Sequence, residues 1–356
     1  MREGVNLVID PVEPPHLANL PSVCARPHPL VAGPTTPHDY GVTSLPRHPS
    51  EGTERERTSA VVARAARTLA DAGVASARSE AEQLAAYVLE VPRGRLALAD
   101  GFTAAQRARY DTLVARRADR EPLQHLTGRA GFRHLELAVG PGVFVPRPET
   151  ELLAGWGIDR ASTRDAPVVV DLCSGSGAIA LAVAQEVPAA RVVAVERSPA
   201  ALAWLRRNAA ERAAAGDRPV EVVAADVTDP ELLADLVGAV DVLLCNPPYV
   251  PRSVPVPPEV AGHDPDEAVF GGADGLVVLR PVLRRAAELL RPDGELGVEH
   301  DDTHGGAVPA LLTADGRYTA VRAHRDLAGR PRFATASRRS DGPHAVGASA
   351  WQTGSS

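Results

Sequence analysis

Lysine is absent from this 356-residue chain, and methionine occurs only at position 1. The basic residues are therefore all arginine, a bias that points to a GC-rich genome more than to a chemical requirement. Cysteine is scarce as well: Cys24, Cys173 and Cys245 leave an odd count and form no CxxC pair. This pattern argues against a secreted disulfide framework and a zinc knuckle, and it favours a reducing compartment.

Long apolar runs are also missing. None approaches the roughly 20 residues that a membrane span needs, and the N-terminus lacks the charged-then-apolar pattern of a signal peptide. The formal net charge is -7, and an acidic chain disfavours a broad nucleic-acid footprint. We therefore expect a soluble, cytoplasmic protein with no membrane partner and no direct nucleic-acid partner.

Composition divides the chain into segments. Residues 1–57 carry ten prolines and little apolar periodicity, which predicts a disordered extension. Residues 58–120 are rich in alanine and arginine with apolar residues at helical spacing, which predicts a small all-helical domain. Alternation in His134–Val139 predicts that residues 121–164 are a linker with a β-hairpin. The polar residues 338–356 are predicted to be a disordered tail.

Residues 165–337 alternate strands with helices. Short apolar runs of the buried parallel type are VVVDLC, RVVAVER, VEVVAAD, VDVLLC and ELGVEH. Helical segments such as AIALAVAQEV and PAALAWLRRNAAERAA separate them. The segment YTAVRAHRDLAGRPRFATA predicts an antiparallel pair of strands joined at Gly329. The predicted fold is α/β: a doubly wound, Rossmann-like sheet, mostly parallel with an antiparallel last strand, together with the small helical domain.

A glycine loop follows the first of these strands, in VVVDLCSGSGAIALAV. Gly175 and Gly177 let the backbone approach a ligand, and the free N–H groups at the following helix start favour a carboxylate or phosphate. Only G-x-G is present, so the three-glycine dinucleotide fingerprint is not met. A tight strand-to-helix turn is the alternative interpretation. The candidate binding residues here are Asp171, Cys173, Ser174, Gly175, Ser176 and Gly177.

Polar residues end the next strands too. Glu196 ends the second strand about 20 residues past the glycines, where a carboxylate can accept hydrogen bonds from ribose hydroxyls. Asp226 ends the third strand and Asn246 the fourth. With Asp171, these side chains open onto the crevice where ligands of open α/β sheets bind. One of them alone could be a strand cap, but four together indicate a ligand site.

Four motifs carry a family resemblance: DLCSGSG, PGVFVPRPETELL, NPPY at 246–249, and EVAGHDPDEAVFGGADGL. Over about residues 60–337 the chain resembles the class I S-adenosylmethionine-dependent methyltransferases, and more narrowly the protein-(glutamine-N5) methyltransferases of peptide chain release factors. NPPY alone is shared with methyltransferases of adenine amino groups, whereas RPETE and FGGADGL favour glutamine. The resemblance implies a role in translation termination: methylation of the glutamine in the Gly-Gly-Gln motif, with the helical domain docking the release factor.

The resemblance also implies roles for residues. An amide nitrogen is a poor nucleophile because its lone pair is delocalised into the carbonyl, so its position must be fixed. By resemblance, Asn246 Oδ1 and the Pro247 carbonyl accept its two N–H bonds, and Pro248 and Tyr249 complete the substrate site. No general base is obvious in the sequence. The cofactor-binding residues implied are the loop residues above with Glu196, Asp226, Val227 and Asn246.

Two positions depart from the family pattern. Cys173 stands where glycine is common, and Glu196 replaces a frequent aspartate. His300, Asp301, Asp302 and His304 lack a nearby third histidine, so we expect no metal site.

Other functions remain open at this point. Within the enzyme class they are methylation of glutamine in a ribosomal protein or of adenine N6 in DNA. A protein that binds the cofactor only to dock partners is the alternative from another class. The acidic charge disfavours DNA, and the presence of Asn246 and Tyr249 disfavours a protein without catalysis.

Overall fold

The computed structural model describes residues 56–340. The predicted disordered extension, up to residue 55, and the predicted tail, from residue 341, lie outside these residues. Within the described range, no helix is both long and apolar enough to span a bilayer.

The N-terminal part of the described chain is helical, as its apolar spacing predicts. Its elements are α1 (Thr58–Asp71), α2 (Ala77–Leu89), a 3₁₀ helix (Arg93–Leu98), α3 (Ala104–Ala118) and α4 (Leu123–Thr127). Their apolar faces form one core around Leu84 and Tyr110. The Tyr110 hydroxyl donates to the Ala81 carbonyl at 3.0 Å, which satisfies the polar atom of this buried side chain. Leu123 and Leu126 of α4 belong to the same core, so helical packing continues into the predicted linker.

The strands form two sheets. A hairpin pairs β1 (Arg129–Phe132) with β2 (Leu135–Ala138) in antiparallel register. The main sheet contains β3 (Val168–Leu172), β4 (Arg191–Glu196), β5 (Glu221–Ala224), β6 (Val240–Cys245), β7 (Leu290–Glu299), β8 (Tyr318–Arg325) and β9 (Pro331–Arg338).

The main sheet has the order β5-β4-β3-β6-β7-β9-β8. Neighbours from β5 to β7 are parallel, and β9 is antiparallel to both β7 and β8. The predicted mostly parallel sheet with an antiparallel last strand is confirmed. That last strand lies between β7 and the edge strand β8.

Helices cover both faces of the sheet, because successive residues of a buried strand point to opposite sides. Val169 packs in the core formed with α5, α6 and α7, and Val170 packs in the core formed with α10 and α11. The doubly wound arrangement follows. The helices from residue 150 onward are α5 (Thr150–Ser162), α6 (Ala178–Glu186), α7 (Pro199–Ala214), α8 (Pro258–His263), α9 (Asp266–Val269), α10 (Leu279–Leu289) and α11 (Ala307–Asp315), with 3₁₀ helices at Ala234–Leu236 and Asp302–His304.

The parallel register aligns the carboxyl ends of the four central strands. Leu172 of β3 pairs with Val195 of β4 and with Cys245 of β6, and Cys245 pairs with Val298 of β7. The residue that follows in each strand therefore lies in one row at the same edge of the sheet. This row is Cys173, Glu196, Asn246 and Glu299.

Two arginines connect the helical domain to the segment after NPPY. Arg117 of α3 is 5% exposed and bonds to Glu80 of α2 and, at 2.9 Å, to Glu259 of α8. Arg120 donates to the other oxygen of Glu259 at 2.8 Å. Hydrogen bonds between ionised groups are strong, so α8 is held directly by the helical domain.

Asn208 of α7 joins three elements and is 1% exposed. Its Oδ1 accepts from the Ala138 N–H at 2.8 Å. Its Nδ2 donates to the Ala138 carbonyl at 3.0 Å and to the Ser176 carbonyl at 2.9 Å. One amide thus fixes the end of β2 and the glycine loop on α7.

We predict that Asn208→Ala lowers the free energy of unfolding by about 2–4 kcal/mol, because three hydrogen bonds are lost and buried backbone groups are left unpaired. Arg206→Ala, on the exposed side of the same helix, is the matched control and should change stability by less than about 0.5 kcal/mol. Urea unfolding of both variants measures the difference. Equal stabilities would show that the Asn208 amide does not hold these elements.

Candidate active site

A cavity of about 420 Å³ opens at the carboxyl edge of the central strands. Its wall brings together residues from the glycine loop, from the ends of β4, β5 and β6, and from the segments on either side of NPPY. The predicted site residues in this wall are Cys173, Ser174, Gly175, Ser176, Glu196, Asp226, Val227, Asn246, Pro247, Pro248 and Tyr249.

The glycine loop passes through three left-handed backbone positions. The φ angle is +59° at Cys173, +56° at Gly175 and +90° at Gly177. The Ser174 N–H donates to the Val195 carbonyl at 3.0 Å, which ties the loop to β4. A side chain at such an angle costs about 1 kcal/mol or more. The conformation at Cys173 is therefore the physical reason why glycine suits this position.

Asp171 lies outside the cavity wall, and its role in binding the cofactor stays a prediction. It pairs with Ala194 and Leu244 inside the sheet, two residues before the loop begins, and is 1% exposed. Its Oδ2 accepts from the Ala180 N–H at 3.2 Å, in the first turn of α6. Burial raises the pKa of Asp171 to about 7. Asp171 thus anchors the start of α6 beneath the loop.

Gly177 also lies outside the cavity wall, and its role in binding the cofactor likewise stays a prediction. A Cβ atom at this position would lie 2.5 Å from Cδ1 of Leu205 on α7. Glycine is needed here for its backbone angle and for the close packing of α6 on α7.

Glu196 is 8% exposed and organises the backbone around it. Its Oε2 accepts from the Gly175 N–H at 2.9 Å, and its Oε1 accepts from the N–H groups of Arg197 and Ser198 at 2.8 Å. Each carboxylate oxygen can accept more than one hydrogen bond. Glu196 can therefore hold the glycine loop and still accept a hydrogen bond from a ligand in the cavity.

Asp226 faces the cavity from beyond β5. Its Oδ1 accepts from the Thr228 N–H at 2.8 Å, and its Oδ2 accepts from Arg197 at 3.1 Å. Burial acts to raise the pKa of Asp226, but the bonds from Thr228 and Arg197 outweigh it and hold that pKa below its ordinary value. Asp226 is thus an ionised acceptor.

Asn246 is oriented by a residue of α5. Its Nδ2 donates to the Thr150 hydroxyl oxygen at 3.1 Å, and Thr150 is buried. Because the amide nitrogen faces Thr150, the amide oxygen faces the other way and offers an acceptor. The hydroxyl of Thr150, within the RPETE motif, therefore connects this motif to NPPY.

Tyr249 and Glu299 form a second polar pair in the cavity wall. The Tyr249 hydroxyl donates to Glu299 Oε1 at 2.9 Å. Glu299 is 1% exposed. Burial raises its pKa to about 7, while the hydroxyls of Thr150 and Tyr249 and the positive charge of Arg332 act in the opposite direction. A carboxyl group that titrates near neutrality thus lies beside NPPY.

The FGGADGL and EVAGHDP segments support the cavity from outside. A Cβ on Gly271 would lie 2.6 Å from the Pro248 carbonyl oxygen, so only glycine lets this segment pack on the NPPY backbone. Asp264 has a fully buried side chain and accepts from Arg147 at 2.7 Å. Arg147 also lies over the Phe144 ring at 4.6 Å. These contacts join the approach segment to the segment after NPPY.

Three residues of the cavity wall, Thr150, Glu299 and Arg332, are not singled out by the sequence pattern. For Glu299 a signal exists, because it ends the fifth strand of the parallel series, as Asn246 ends the fourth. Thr150 lies between the two glutamates that give the RPETE motif its character. Arg332 lies on the strand that enters the sheet from the far end of the chain, and no local pattern marks it.

The histidine and aspartate cluster after β7 has other contacts. His304 Nε2 lies 2.9 Å from the Asp274 carbonyl, and His300 Nδ1 lies 2.8 Å from the Asp301 carbonyl. Across residues 56–340, no three His, Cys, Asp or Glu side chains are grouped so that they could hold a metal ion.

Comparisons with known proteins place the chain in a family. Residues 60–128 match the model of the PrmC N-terminal domain, and residues 156–255 match that of the methyltransferase small domain. The release factor glutamine methyltransferase of Mycolicibacterium smegmatis is 54% identical over 271 residues, which cover 76% of this chain and 94% of the relative. That of Streptomyces coelicolor is 52% identical over 284 residues, 78% of this chain and 96% of the relative.

A third relative carries a different name. The 4-amino-L-phenylalanine/4-methylamino-L-phenylalanine methyltransferase of Streptomyces pristinaespiralis is 38% identical over 259 residues, 70% of this chain and 85% of the relative. The matches to relatives of the first kind are higher in identity and cover a larger share of this chain. The chain belongs to the release factor glutamine methyltransferase family.

Proposed function

We propose that the protein transfers a methyl group from S-adenosylmethionine to the side-chain amide nitrogen, N5, of the glutamine in the Gly-Gly-Gln motif of peptide chain release factors. The observation that supports this most directly is the orientation of Asn246. Its nitrogen is held by Thr150, so its oxygen is available to a substrate N–H group. An amide oxygen in this position suits a substrate that is itself a carboxamide.

The residues of the cavity fit S-adenosylmethionine. Glu196 and Asp226 line the cavity, and their carboxylates suit the hydroxyls and amino group of a nucleoside, while Val227 offers an apolar contact. Gly175 has open space where a side chain would stand. The cofactor, when bound, supplies a methyl group on a positively charged sulfur. We propose that residues 173–176, Glu196, Asp226 and Val227 hold it.

The substrate side of the proposed site consists of NPPY. Asn246 Oδ1 and the Pro247 carbonyl would accept the two N–H bonds of the glutamine amide, and Pro248 and Tyr249 would form the wall around it. These groups fix the direction of the nitrogen lone pair. A reaction between two held groups gains mainly from positioning, because the entropy of their encounter is lost before the chemical step.

The names of the relatives indicate two different classes of substrate. The name of the Streptomyces pristinaespiralis relative refers to an aromatic amine of a free amino acid. The helical domain favours a protein substrate here, since a free amino acid has no need of a second domain for docking. We propose that this domain contacts the release factor, and that the Arg117–Glu259–Arg120 contacts place it in a fixed position relative to the cavity.

The function is tested by incubating the protein with labelled S-adenosylmethionine and one of three acceptors. They are a release factor, the same release factor with Gly-Gly-Gln changed to Gly-Gly-Ala, and 4-aminophenylalanine. We expect one methyl group on the intact release factor and none on the other two. Methylation of the amino acid alone would overturn the proposal.

For the cofactor site, we predict that Glu196→Ala weakens S-adenosylmethionine binding by about 1–3 kcal/mol, the scale of hydrogen bonds that involve a charged group. Glu221→Ala, an exposed carboxylate paired with Arg191 at the other end of the sheet, is the control and should bind as the wild type does. Calorimetry gives both dissociation constants. An unchanged affinity in Glu196→Ala would remove Glu196 from the proposed site.

For the substrate site, we predict that Asn246→Ala keeps the fold and most of the cofactor affinity but lowers kcat by about a hundredfold or more, the effect of removing one preorganised polar group. Asn246→Asp should be slower than the wild type with equal or tighter cofactor binding. The negative charge of the aspartate beside the sulfur stabilises the ground state, in which the sulfur is positively charged, more than the transition state, in which the positive charge is being neutralised.

Thr150→Val is the matched variant for Asn246. It removes the hydroxyl that orients Nδ2 of Asn246 but leaves the Asn246 amide present in the site. We therefore expect a smaller loss of kcat than in Asn246→Ala. Single-turnover methylation of a release factor measures all three variants. Wild-type turnover by Asn246→Ala would leave NPPY with no role beyond a turn.

A further inference from the structure

Glu299 is a buried carboxyl group in the cavity wall that the roles above do not use. It ends β7, in the same row as Asn246 at the edge of the sheet. Its two oxygens differ: Oε1 accepts from the Tyr249 hydroxyl at 2.9 Å. Oε2 is fully buried and has no hydrogen-bond partner among the side chains and backbone of residues 56–340.

An unpaired buried carboxylate oxygen is costly, and native structures pair such atoms with protein, water or ligand. Glu299 lines the cavity, and within the described chain its Oε2 lacks a protein partner. Glu299 therefore offers an unpaired acceptor oxygen in a residue of the cavity wall. In the proposed reaction Asn246 and Pro247 hold both N–H groups of the substrate amide before methyl transfer, and a proton leaves only after the nitrogen has become tetrahedral.

The groups packed around Glu299 come from three other elements. Thr150 and Glu149 lie at the start of α5, Tyr249 follows β6, and Arg332 lies on β9. The Arg332 guanidinium is engaged by Asp326 at 3.0 Å, and its Nε, like Glu299 Oε2, has no partner in the described chain. Glu299 is thus near a positive charge but forms no ion pair with it within hydrogen-bond distance.

The chemistry of amide methylation requires a proton acceptor. The glutamine nitrogen forms a bond to the methyl carbon, and the carbon–sulfur bond breaks with its electron pair left on sulfur. The nitrogen, which has used its lone pair, then carries two protons and a positive charge, and it is a strong acid. One N–H bond must break, with its electrons returning to nitrogen, before the neutral N-methyl amide is formed.

We propose that Glu299 Oε2 receives this proton, and this inference rests on the proposed glutamine methylation. Thr150 contributes to the position of both groups, because it bonds to Asn246 and its hydroxyl stabilises the ionised form of Glu299. The acceptor therefore lies on the same framework that positions the substrate nitrogen. After transfer the proton passes to solvent when the product leaves the cavity.

Glu299→Gln tests the inference, since the amide keeps an oxygen for the Tyr249 hydroxyl but cannot take up a proton at neutral pH. With neither substrate saturating, the wild-type kcat/KM should fall at low pH along a limb centred near pH 7, where the Glu299 carboxylate of the free protein becomes protonated. In Glu299→Gln we expect kcat lower by about a hundredfold or more and no such limb.

Two further variants show which residue produces the low-pH limb of the rate profile. Tyr249→Phe removes a hydrogen bond that favours ionised Glu299, so its limb should move to higher pH whatever its maximal rate. Asp171 has a pKa that burial also raises to about 7, but it lies below the loop and outside the cavity. Asp171→Asn should therefore keep the limb at its wild-type position.

A measurement without substrate or cofactor accompanies the kinetics. Because the folded-state pKa of Glu299 lies above its ordinary value of 4.5, the wild type loses stability as pH rises from about 4.5 to about 7, when the unfolded chain ionises first. Glu299→Gln does not share this loss. Its melting temperature should match the wild type below pH 5 and exceed it by several degrees above pH 7.

The results separate this inference from the proposed function. If the wild type methylates a release factor and Glu299→Gln retains the acid limb or wild-type kcat, Glu299 is not the acceptor. A defect confined to the affinity for S-adenosylmethionine would equally contradict it, because Glu299 would then act on cofactor binding alone. If the wild type modifies no release factor, the proposed function fails. Independently of that result, a difference in melting temperature between the wild type and Glu299→Gln that does not change with pH would overturn the titration of Glu299.

Discussion

The parallel register of β3, β4, β6 and β7 is the constraint on which the site depends. Since Leu172 pairs with both Val195 and Cys245, and Cys245 with Val298, the next residue of each strand must appear at one edge. Strand spacing is about 4.8 Å, so groups far apart in the sequence are brought within reach of one ligand. A shift of one residue in β6 would turn Asn246 to the other face of the sheet.

Buried polar groups at this edge are held mainly by one another and by backbone amides. Glu196 accepts from three N–H groups, Asp171 supports the first turn of α6, and Asn208 ties the loop to α7. These bonds give the glycine loop its shape before any ligand enters. A preformed site has less conformational entropy to lose on binding. Glu299 Oε2 and Asp171 Oδ1 both lack a hydrogen-bond partner within the described chain, but of these two residues only Glu299 lines the cavity.

Much of this arrangement follows from local sequence patterns. The strands, their order of appearance, the hairpin and the helical domain have clear periodicity, and the ends of β4, β5 and β6 identify Glu196, Asp226 and Asn246 as neighbours. The glycine-loop motif predicts that Asp171 and Gly177 bind the ligand, but their environment depends on how α6 packs on the sheet. Thr150 and Arg332 reach the cavity only through tertiary packing of α5 and β9, which no short motif encodes. Glu299 could be found by extending the strand-end rule to one more strand.

The central claim is that the amide of Asn246, oriented by Thr150, receives the N–H group of the substrate glutamine. A crystal structure with S-adenosylhomocysteine and a peptide containing Gly-Gly-Gln measures this directly. The account predicts the glutamine side-chain nitrogen about 3 Å from both Asn246 Oδ1 and the Pro247 carbonyl oxygen, with the Asn246–Thr150 bond intact. A glutamine side chain bound elsewhere, or an Asn246 amide turned so that its nitrogen faces the substrate, would contradict it.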